Sequence, residues 1–234
     1  MSAVQQMLVA GGGDPFYNNV SLLLHFDGAN GSTTFTDNSP SPKTVTANGT
    51  AQISTTQSKF GGASAFFAGT GTPGWASTPS NTDFIFGIDN FTIEGWLYLA
   101  GGASGTVFDN RTSSTSLHPV LILANGGTGA NDRISFYVAG FYPIISDVVT
   151  LLNVWTHIAL CRGAALTRLF VNGVQSGLTY ADTNNYATSG VVLTGAGLGQ
   201  SNALNGYIDD FRVTKGVARY TSNFTPPAAP FPNY

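Results

Sequence analysis

Two adjacent carboxylates, Asp209 and Asp210, occupy the strand-like run 206–214 near the C-terminus. Side chains alternate between the two faces of a strand, so Asp209 is predicted to share an apolar face with Phe211. A carboxylate in such surroundings needs a partner, and a metal ion, a cluster of backbone N–H groups or a cation could each provide one. Asp210 is predicted to lie on the opposite face and to pair with Arg212, an interaction worth little if it is exposed.

A second kind of chemistry, the stacking of sugar rings on aromatic side chains, is open to four residues outside the clearest strand-like runs. Trp75 ends the glycine-rich, loop-like segment 69–75, where a large apolar side chain has no periodic reason to be, and three tyrosines occupy turn-rich regions. These four candidates for carbohydrate binding are Trp75, Tyr142, Tyr180 and Tyr186. Aromatic residues in loops also cap cores and are frequent at subunit interfaces, and this alternative is favoured.

Catalysis is predicted to be absent. Glycoside hydrolysis normally needs two carboxyl groups about 5 to 10 Å apart, whereas the chain has a single glutamate, Glu94, with no acidic neighbour on its strand face. Asp209 and Asp210 would point to opposite faces of their strand. The single cysteine, Cys161, is predicted to be a buried, inert thiol. The glycine-rich run 195–200 lacks the lysine and the helix of a phosphate-binding loop, so we interpret it as a turn.

The segments that must position these residues are short, β-rich and separated by turns. Glycine (29 residues) and proline (11 residues) punctuate the whole chain, and no long helical period is present. The pair Asn172-Gly173 between apolar runs predicts a two-residue β-hairpin. The predicted strands cover residues 20–26, 64–67, 91–99, 120–123, 133–138, 155–162, 168–171, 191–193 and 206–214.

The composition fits one all-β domain. The chain has 234 residues, of which 42% are hydrophobic and 9% charged, and this length suits a single β-sandwich with a sizeable core. The charged fraction is far below the usual value of about 25%. Such a surface suits a protein held in an assembly or in contact with neutral sugars, or simply a turn-rich β-protein. The net charge of −3, without a basic run, argues against nucleic-acid binding.

The two ends differ in character from the central domain. Residues 1–13 are predicted to form an arm, hinged at the triple glycine 11–13, that anchors the chain to a neighbouring subunit. This segment does not resemble a signal peptide, and no apolar run approaches the length of a membrane span. The proline-rich tail, residues 226–234, cannot be a central strand. It is predicted to lie over the sandwich or to reach a partner.

Five short motifs follow one another along the chain. They are LLLHFDG at 22–28, FGGASAFF at 60–67, FTIEGWL at 91–97, WTHIA with LFVNG at 155–159 and 169–173, and GYIDDFRVTKGVARY at 206–220. Together they resemble laminin-G-like domains of the concanavalin A-like lectin/glucanase superfamily, and the last motif, with FTPP after it, looks like the version found in bacteriophage tail and other virion proteins. The resemblance covers residues 19–227 and implies a two-sheet antiparallel jelly roll, which we assign to residues 14–225.

The resemblance also implies roles for particular residues. Laminin-G-like domains often carry one calcium ion at the rim of the sandwich, and calcium takes oxygen ligands. Asp27, Asp37 and Asp209 are the candidate ligands here, since the first and last strands are often neighbours in this fold. The alternative is that Asp27 and Asp37 bond to their own turns and that Asp209 accepts backbone N–H groups. Trp96 and Trp155 occupy strand motifs and are predicted to pack in the core.

These observations lead to the hypothesis of a non-enzymatic phage protein located in the virion. The leading function is adhesion by a tail-associated protein whose rim loops bind host surface carbohydrate, with calcium as a possible cofactor. The alternative is a structural component that decorates or cements capsid or tail through contacts with other virion proteins. Weak single sites gain from multivalency, so a homo-oligomer is expected, and a trimer would suit a phage fibre.

Overall fold

The protein is described by a computed structural model that covers residues 12–69, 71–101, 105–123, 133–149 and 152–234. Its regular secondary structure is almost entirely β-strand, with three short 3-10 helices between the strands of the described ranges. The strands are β1 (Val20–Leu24), β2 (Thr34–Phe35), β3 (Val45–Gly49), β4 (Gln52–Ser54), β5 (Ser64–Ala68), β6 (Gly74–Thr78), β7 (Phe91–Leu99), β8 (Gly105–Asp109), β9 (Val120–Leu123), β10 (Arg133–Val138), β11 (Phe141–Val149), β12 (Trp155–Gly163), β13 (Leu166–Val171), β14 (Val174–Gln175), β15 (Tyr180–Ala181), β16 (Val192–Thr194) and β17 (Asn205–Lys215). The 3-10 helices are Tyr17–Asn19, Thr82–Phe84 and Leu198–Gln200.

The strands form two antiparallel sheets. The first sheet has the order β14-β13-β12-β7-β17-β5-β4, with β1 also paired to β17 and β15 to β13. The second has the order β11-β10-β9-β8-β16-β6-β3-β2. This arrangement confirms the predicted two-sheet antiparallel sandwich, and the first strand does pair with the last. Within the described residues there is no helix of the length and apolarity needed to cross a membrane.

One hydrophobic core lies between the sheets. Alternate side chains of the central strands β7 and β17 enter it, for example Leu97 and Phe211, and they meet Phe108 and Phe136 from the second sheet. All four of these side chains are fully buried. Because the core takes every second residue, the side chains between them project from the outer faces of the two sheets.

Two local predictions are confirmed. The strands β13 and β14 are joined by Asn172-Gly173, and both residues have positive φ, at 49° and 78°, as a two-residue hairpin turn of this kind requires. Cys161 is buried, and burial raises its pKa to about 12. A thiol with that pKa is almost entirely protonated at neutral pH and is therefore a poor nucleophile.

The proline-rich tail lies over the outer face of the first sheet, the first of its two predicted positions. Phe231 is buried beside β1, and its ring lies 3.7 Å from the guanidinium carbon of Arg212. Just before the tail, Tyr220 and Phe224 stack with ring centroids 3.5 Å apart. At the other end, residues 1–11 of the predicted arm lie outside the described part of the chain, so its docking stays a prediction.

A β-bulge in β17 changes the predicted alternation of side chains. The register with β7 shifts between Asp209 and Arg212, and Asp210 adopts a φ of 47°. Asp209 lies on the outer face, since Ile208 before it enters the core, and the extra residue after it turns Phe211 into the core as well. The prediction that Asp209 and Phe211 share a face is therefore wrong. The predicted pair of Asp210 with Arg212 is wrong for the same reason, because Asp210 instead contacts Nδ1 of His25 at 2.6 Å.

Asp209 finds its partners in the backbone. Its Oδ2 accepts hydrogen bonds from the N–H groups of Lys59 at 2.6 Å and Phe60 at 3.0 Å. Of the partners considered from the sequence, a cluster of backbone N–H groups is therefore the one that the structure shows. Burial raises the pKa of Asp209 to about 7; the two N–H groups act in the opposite direction, and the nearby carboxylates of Asp210 and Asp27 add to the rise. The ionised form is therefore disfavoured in the folded protein.

Four charged side chains form a buried network on the same outer face. Arg212 donates to Oε1 of Glu94 at 2.7 and 3.0 Å and to Oδ2 of Asp14 at 2.9 Å. Arg219 donates to both oxygens of Asp14, at 2.7 and 3.0 Å. Burial favours a raised pKa for Glu94 and Asp14, but the arginines hold the pKa of each below its usual range. Both carboxylates therefore stay ionised.

The substitution Asp14→Ala is expected to lower the free energy of unfolding by about 3 to 5 kcal/mol, because it leaves two buried guanidinium groups short of a counter-charge. The matched control is Asp89→Ala, which removes an exposed carboxylate and should cost about 0.5 kcal/mol or less. Urea unfolding at neutral pH measures both. Equal losses in the two variants would contradict a stabilising role for the network.

The substitution Asp209→Asn is expected to stabilise the protein above neutral pH. A folded-state pKa raised above the unfolded value of about 3.9 means that stability is fully present at low pH and is lost as the pH rises through about 7. The asparagine keeps an oxygen to accept the Lys59 and Phe60 N–H groups but carries no charge. Its advantage over the wild type should grow between about pH 4 and pH 7 and reach about 1 kcal/mol or more at pH 8.

Thermal unfolding of both proteins across this pH range measures the difference. The exposed Asp89→Asn variant serves as the control for the loss of one carboxylate. Asp14 and Glu94 have lowered pKa values and therefore cause the opposite dependence, a loss of stability as the pH falls. Both proteins contain these two residues, so their contribution to stability cancels when the proteins are compared at the same pH. A pH-independent effect of Asp209→Asn would contradict the assignment.

Candidate functional site

The carboxylate of Asp37, one of the three predicted calcium ligands, is buried and satisfied within the chain. Its Oδ1 accepts hydrogen bonds from the N–H groups of Leu23 at 3.0 Å and Ser39 at 2.9 Å. Its Oδ2 accepts from the Ser39 hydroxyl at 3.0 Å and from the Lys43 N–H at 2.8 Å. Asp37 therefore ties its own turn to β1, which is the turn alternative raised by the sequence.

The other two predicted ligands do not join Asp37. Asp27 is exposed and lies against Gly61, whose φ of 61° and lack of a Cβ leave room for the carboxylate. Asp209 is buried and bonded to the backbone. Across the described ranges, no three acidic, histidine or cysteine side chains are grouped so that they could hold a metal ion. The predicted three-carboxylate site is therefore not assembled, and these residues do not fit a calcium ion.

Two of the predicted sugar-binding aromatic residues lie on the second sheet. Trp75 is on β6 rather than in a loop, and it is half-buried opposite Asn48 of β3. The amide of Asn48 donates to the hydroxyl of Ser77 at 2.9 Å. Tyr142 is half-buried in β11, where its ring meets the edge of Tyr137 with centroids 5.1 Å apart. Trp75 and Asn48 are thus neighbours on this sheet, and the Asn48 amide nitrogen is already bonded to the carbonyl oxygens of Thr46 and Trp75 as well as to Ser77.

The other two predicted residues belong to the interior or its margin. Tyr186 is fully buried in the core, and its hydroxyl donates to both oxygens of Asp182 at 2.9 and 3.0 Å. Burial, together with the Asp182 carboxylate, raises the pKa of Tyr186 well above its usual value. Its prediction as a sugar ligand is wrong, because the ring has no accessible face. Tyr180 is half-buried and packs near Phe136 of the core at 6.0 Å.

A different set of aromatic residues forms a continuous line on the outer face of the first sheet. Trp155 of β12 pairs with Tyr98 of β7, Tyr98 pairs with Tyr207 of β17, and Tyr207 pairs with Phe66 of β5. The ring centroids are 5.4, 5.7 and 5.1 Å apart in that order. We call these four residues the aromatic row. Gln52 of β4 pairs with Phe66 and continues the line with an amide.

The sheet fixes the direction in which the row faces. Leu97 and Leu99, on either side of Tyr98, both enter the core, so the tyrosine between them projects outward. Trp155, Tyr98 and Phe66 are half-buried and Tyr207 is 9% exposed. With strands about 4.8 Å apart, the four rings span roughly 14 Å across the sheet. The predicted core position of Trp155 is wrong, because its strand presents it to the outside.

The loop before β5 covers Trp96, the outward-facing residue that precedes Tyr98 by two positions on β7. Trp96 is 6% exposed, and the ammonium group of Lys59 lies 3.9 Å from the centre of its ring, with Phe60 edge-on at 6.0 Å. Trp96 is therefore buried as predicted, but on the outer face and not between the sheets. The hydrogen bonds from Lys59 and Phe60 to Asp209 hold this loop in place. The aromatic row begins where that cover ends.

The row was not predicted from the sequence, although two of its strands carry a local signal for it. Tyr98 lies between Leu97 and Leu99, and Phe66 lies between Ala65 and Phe67, and all four of these neighbours enter the core. An aromatic residue at a predicted outward position of one strand is common, whereas four of them on paired positions are not. The pairing depends on contacts between residues as far apart as Phe66 and Tyr207, which periodicity within one strand does not contain.

The solved structures similar to this chain share its fold at low sequence identity. The binding domain of botulinum neurotoxin DC, solved with rat synaptotagmin II, gives a TM-score of 0.60 at 14% identity over 87% of this chain and 50% of that chain. Botulinum neurotoxin type C, which interacts with two ganglioside molecules, gives 0.59 at 13% identity over the same shares. This chain thus spans about half the length of those neurotoxin chains.

A third similar structure corresponds to a single domain. Domain 4 of a GH43 extracellular arabinanase from Geobacillus stearothermophilus, in complex with arabinotriose, gives a TM-score of 0.60 at 18% identity over 86% of this chain and 94% of that one. Among curated proteins, none matches this chain in sequence.

The sequence itself identifies the family. The family model Laminin_G_3, described as concanavalin A-like lectin/glucanases superfamily, matches residues 70–219. This range includes β6 to β17 and so contains three of the four strands that carry the aromatic row. The family match also agrees with the two antiparallel sheets of the structure. The chain therefore belongs to the Laminin_G_3 family of the concanavalin A-like lectin/glucanase superfamily.

Proposed function

We propose that this domain binds neutral carbohydrate through the aromatic row. The observation that carries the proposal is the alignment of Trp155, Tyr98, Tyr207 and Phe66 on four paired strands of one sheet face. Aromatic faces stack on the apolar faces of sugar rings, while tyrosine hydroxyls, the indole N–H and the Gln52 amide can bond to sugar hydroxyls. One similar structure supports it, since domain 4 of the arabinanase, which shares this fold, was solved in complex with the neutral sugar arabinotriose.

We propose a binding role and not a catalytic one. Glycoside hydrolysis uses a pair of accessible carboxyl groups on either side of the scissile bond. The single glutamate, Glu94, is fully buried and paired with Arg212, and no member of the aromatic row carries a carboxyl group. Asp209 is also buried, and its carboxylate holds the loop that covers Trp96. These contacts favour structural roles for both acids.

At a finer level, we propose that the chain is a tail-associated adhesion protein of a phage particle that binds host surface glycan. The support is the likeness of its closing motif at 206–220 to those of phage virion proteins, together with the low charge of its surface. A homo-oligomer, such as a trimer, would multiply a weak contact into useful avidity. The predicted arm, residues 1–13, would join the domain to other virion proteins.

A structural role in the virion is the second candidate, and the same observation favours it. Tyrosine and tryptophan are enriched at protein interfaces, so the aromatic row could equally be covered by another virion protein. The two candidates differ in what the row contacts, and substitutions within the row can separate them.

The substitution Trp155→Ala is expected to weaken glycan binding by about tenfold or more, which corresponds to about 1.4 kcal/mol. The matched variant is Trp75→Ala, which removes a half-buried tryptophan from the opposite sheet and should leave binding unchanged. A glycan array of neutral and bacterial surface polysaccharides measures both variants and the wild type. Thermal unfolding checks that each variant is folded.

The outcomes assign the site. Loss of binding in Trp75→Ala alone would move the site to the second sheet, as the sequence predicted. Absence of glycan binding by the wild type, combined with loss of assembly in Trp155→Ala measured by analytical ultracentrifugation, would reject the carbohydrate proposal in favour of the structural role.

A further inference from the structure

We infer that the aromatic row takes a linear, neutral glycan whose successive sugar rings are twisted relative to one another, and not a flat, ribbon-like chain or a single sugar. The inference rests on the proposed function and adds the shape of the ligand. Three features of the row carry it: the spacing of its rings, the angles between them and the absence of charge among them.

The spacing matches a chain of sugars. Neighbouring ring centroids are between 5.1 and 5.7 Å apart, which is comparable to the size of one sugar ring. The row crosses four strands, so a chain lying along it, at right angles to the strands, passes over several aromatic residues in succession. A monosaccharide would contact one or two of the four, and most of the row would be left unused.

The angles between the rings exclude a flat ligand. Tyr98 is inclined by 57° to Trp155 and by 81° to Tyr207, and Tyr207 is inclined by 43° to Phe66. A sugar stacks on an aromatic residue when the two rings are parallel. The successive rings of a ribbon-like chain lie nearly in one plane, so such a chain can stack on only one member of each neighbouring pair. A chain that turns at its linkages can stack on both members of such a pair, for example Trp155 and Tyr98.

The rings hold one another at these angles. Tyr98 contacts Trp155 on one side and Tyr207 on the other, and Tyr207 also contacts Phe66. All four are partly buried, so rotation of one ring to become coplanar with its neighbour would disturb the packing of the next. The row is therefore preorganised for a twisted ligand, which reduces the entropy cost of binding.

The row offers no charge to an acidic glycan. Its four members and Gln52 are uncharged. The charged residues nearby, Lys59 and Asp209, make contacts within the protein. The ammonium group of Lys59 lies over the ring of Trp96, and the carboxylate of Asp209 accepts backbone N–H groups. An anionic sugar placed on the row would lose water without gaining a cation. A neutral chain has no such penalty.

The test compares soluble neutral oligosaccharides by isothermal titration calorimetry with the full chain. Maltohexaose and a linear α-linked arabinan hexasaccharide represent twisted chains, cellohexaose represents the ribbon, and glucose and arabinose represent single sugars. At least one twisted hexasaccharide is expected to bind about tenfold or more tightly than cellohexaose and than either monosaccharide.

Each other outcome has a definite meaning. Cellohexaose binding as tightly as the twisted chains would overturn the inference while leaving the carbohydrate proposal intact. A monosaccharide binding as tightly as the hexasaccharides would overturn the requirement for a chain and again leave the proposal intact. Failure of all the sugars to bind would overturn both.

A variant in the middle of the row ties the result to this site. Tyr98→Leu keeps an apolar side chain of moderate size but removes the ring that contacts both neighbours. It is expected to lower affinity for the preferred hexasaccharide by about tenfold and to abolish the preference over cellohexaose. The control is Phe141→Ser, which removes an aromatic ring that is 64% exposed on the second sheet. An unchanged preference in folded Tyr98→Leu protein would overturn the inference.

Discussion

Two buried arginines constrain the whole outer face of the first sheet. Arg212 and Arg219 have almost no exposure, and isolated charges in such a position would cost several kcal/mol. They are tolerated because Glu94 lies opposite on β7 and because Asp14 reaches them from the segment before β1. Phe231 of the tail then covers Arg212. The charge pairing therefore holds the N-terminal segment on this face, and the contact of Phe231 with Arg212 places the tail there as well.

The terminal cover ends partway along the face, and the candidate site lies in the part that remains. Strand β17 passes through both regions: Arg212 lies in the charged half and Tyr207 in the aromatic half, with the bulge at Asp210 between them. The bulge allows one strand to present an outward carboxylate at Asp209 and an outward arginine three residues later. Since strand register sets the spacing of the aromatic row, the row is as rigid as the sheet that carries it, which favours preorganised binding.

Local patterns were sufficient to predict the architecture but not the site. The resemblance carried by the five motifs predicted two antiparallel sheets, and Asn172-Gly173 predicted its hairpin because that signal lies within one turn. The bulge at Asp210 breaks strict alternation and depends on a partner strand, so the face of Asp209 was predicted wrongly. Tyr186 was assigned to a turn-rich surface, although Asp182 satisfies its hydroxyl inside the core. The aromatic row needed the cross-strand register, which no single segment contains.

The position of the chain ends relative to the row bears on how the domain could work in an assembly. The N–H group of Asp14 donates to the carbonyl oxygen of Tyr234 at 2.8 Å, so the two described ends lie side by side. Asp14 also belongs to the buried charge network, which places these ends with the covered half of the face. If the aromatic row binds glycan as proposed, several copies of the domain held together in an assembly could engage one glycan chain, and avidity would compensate for a shallow, uncharged site.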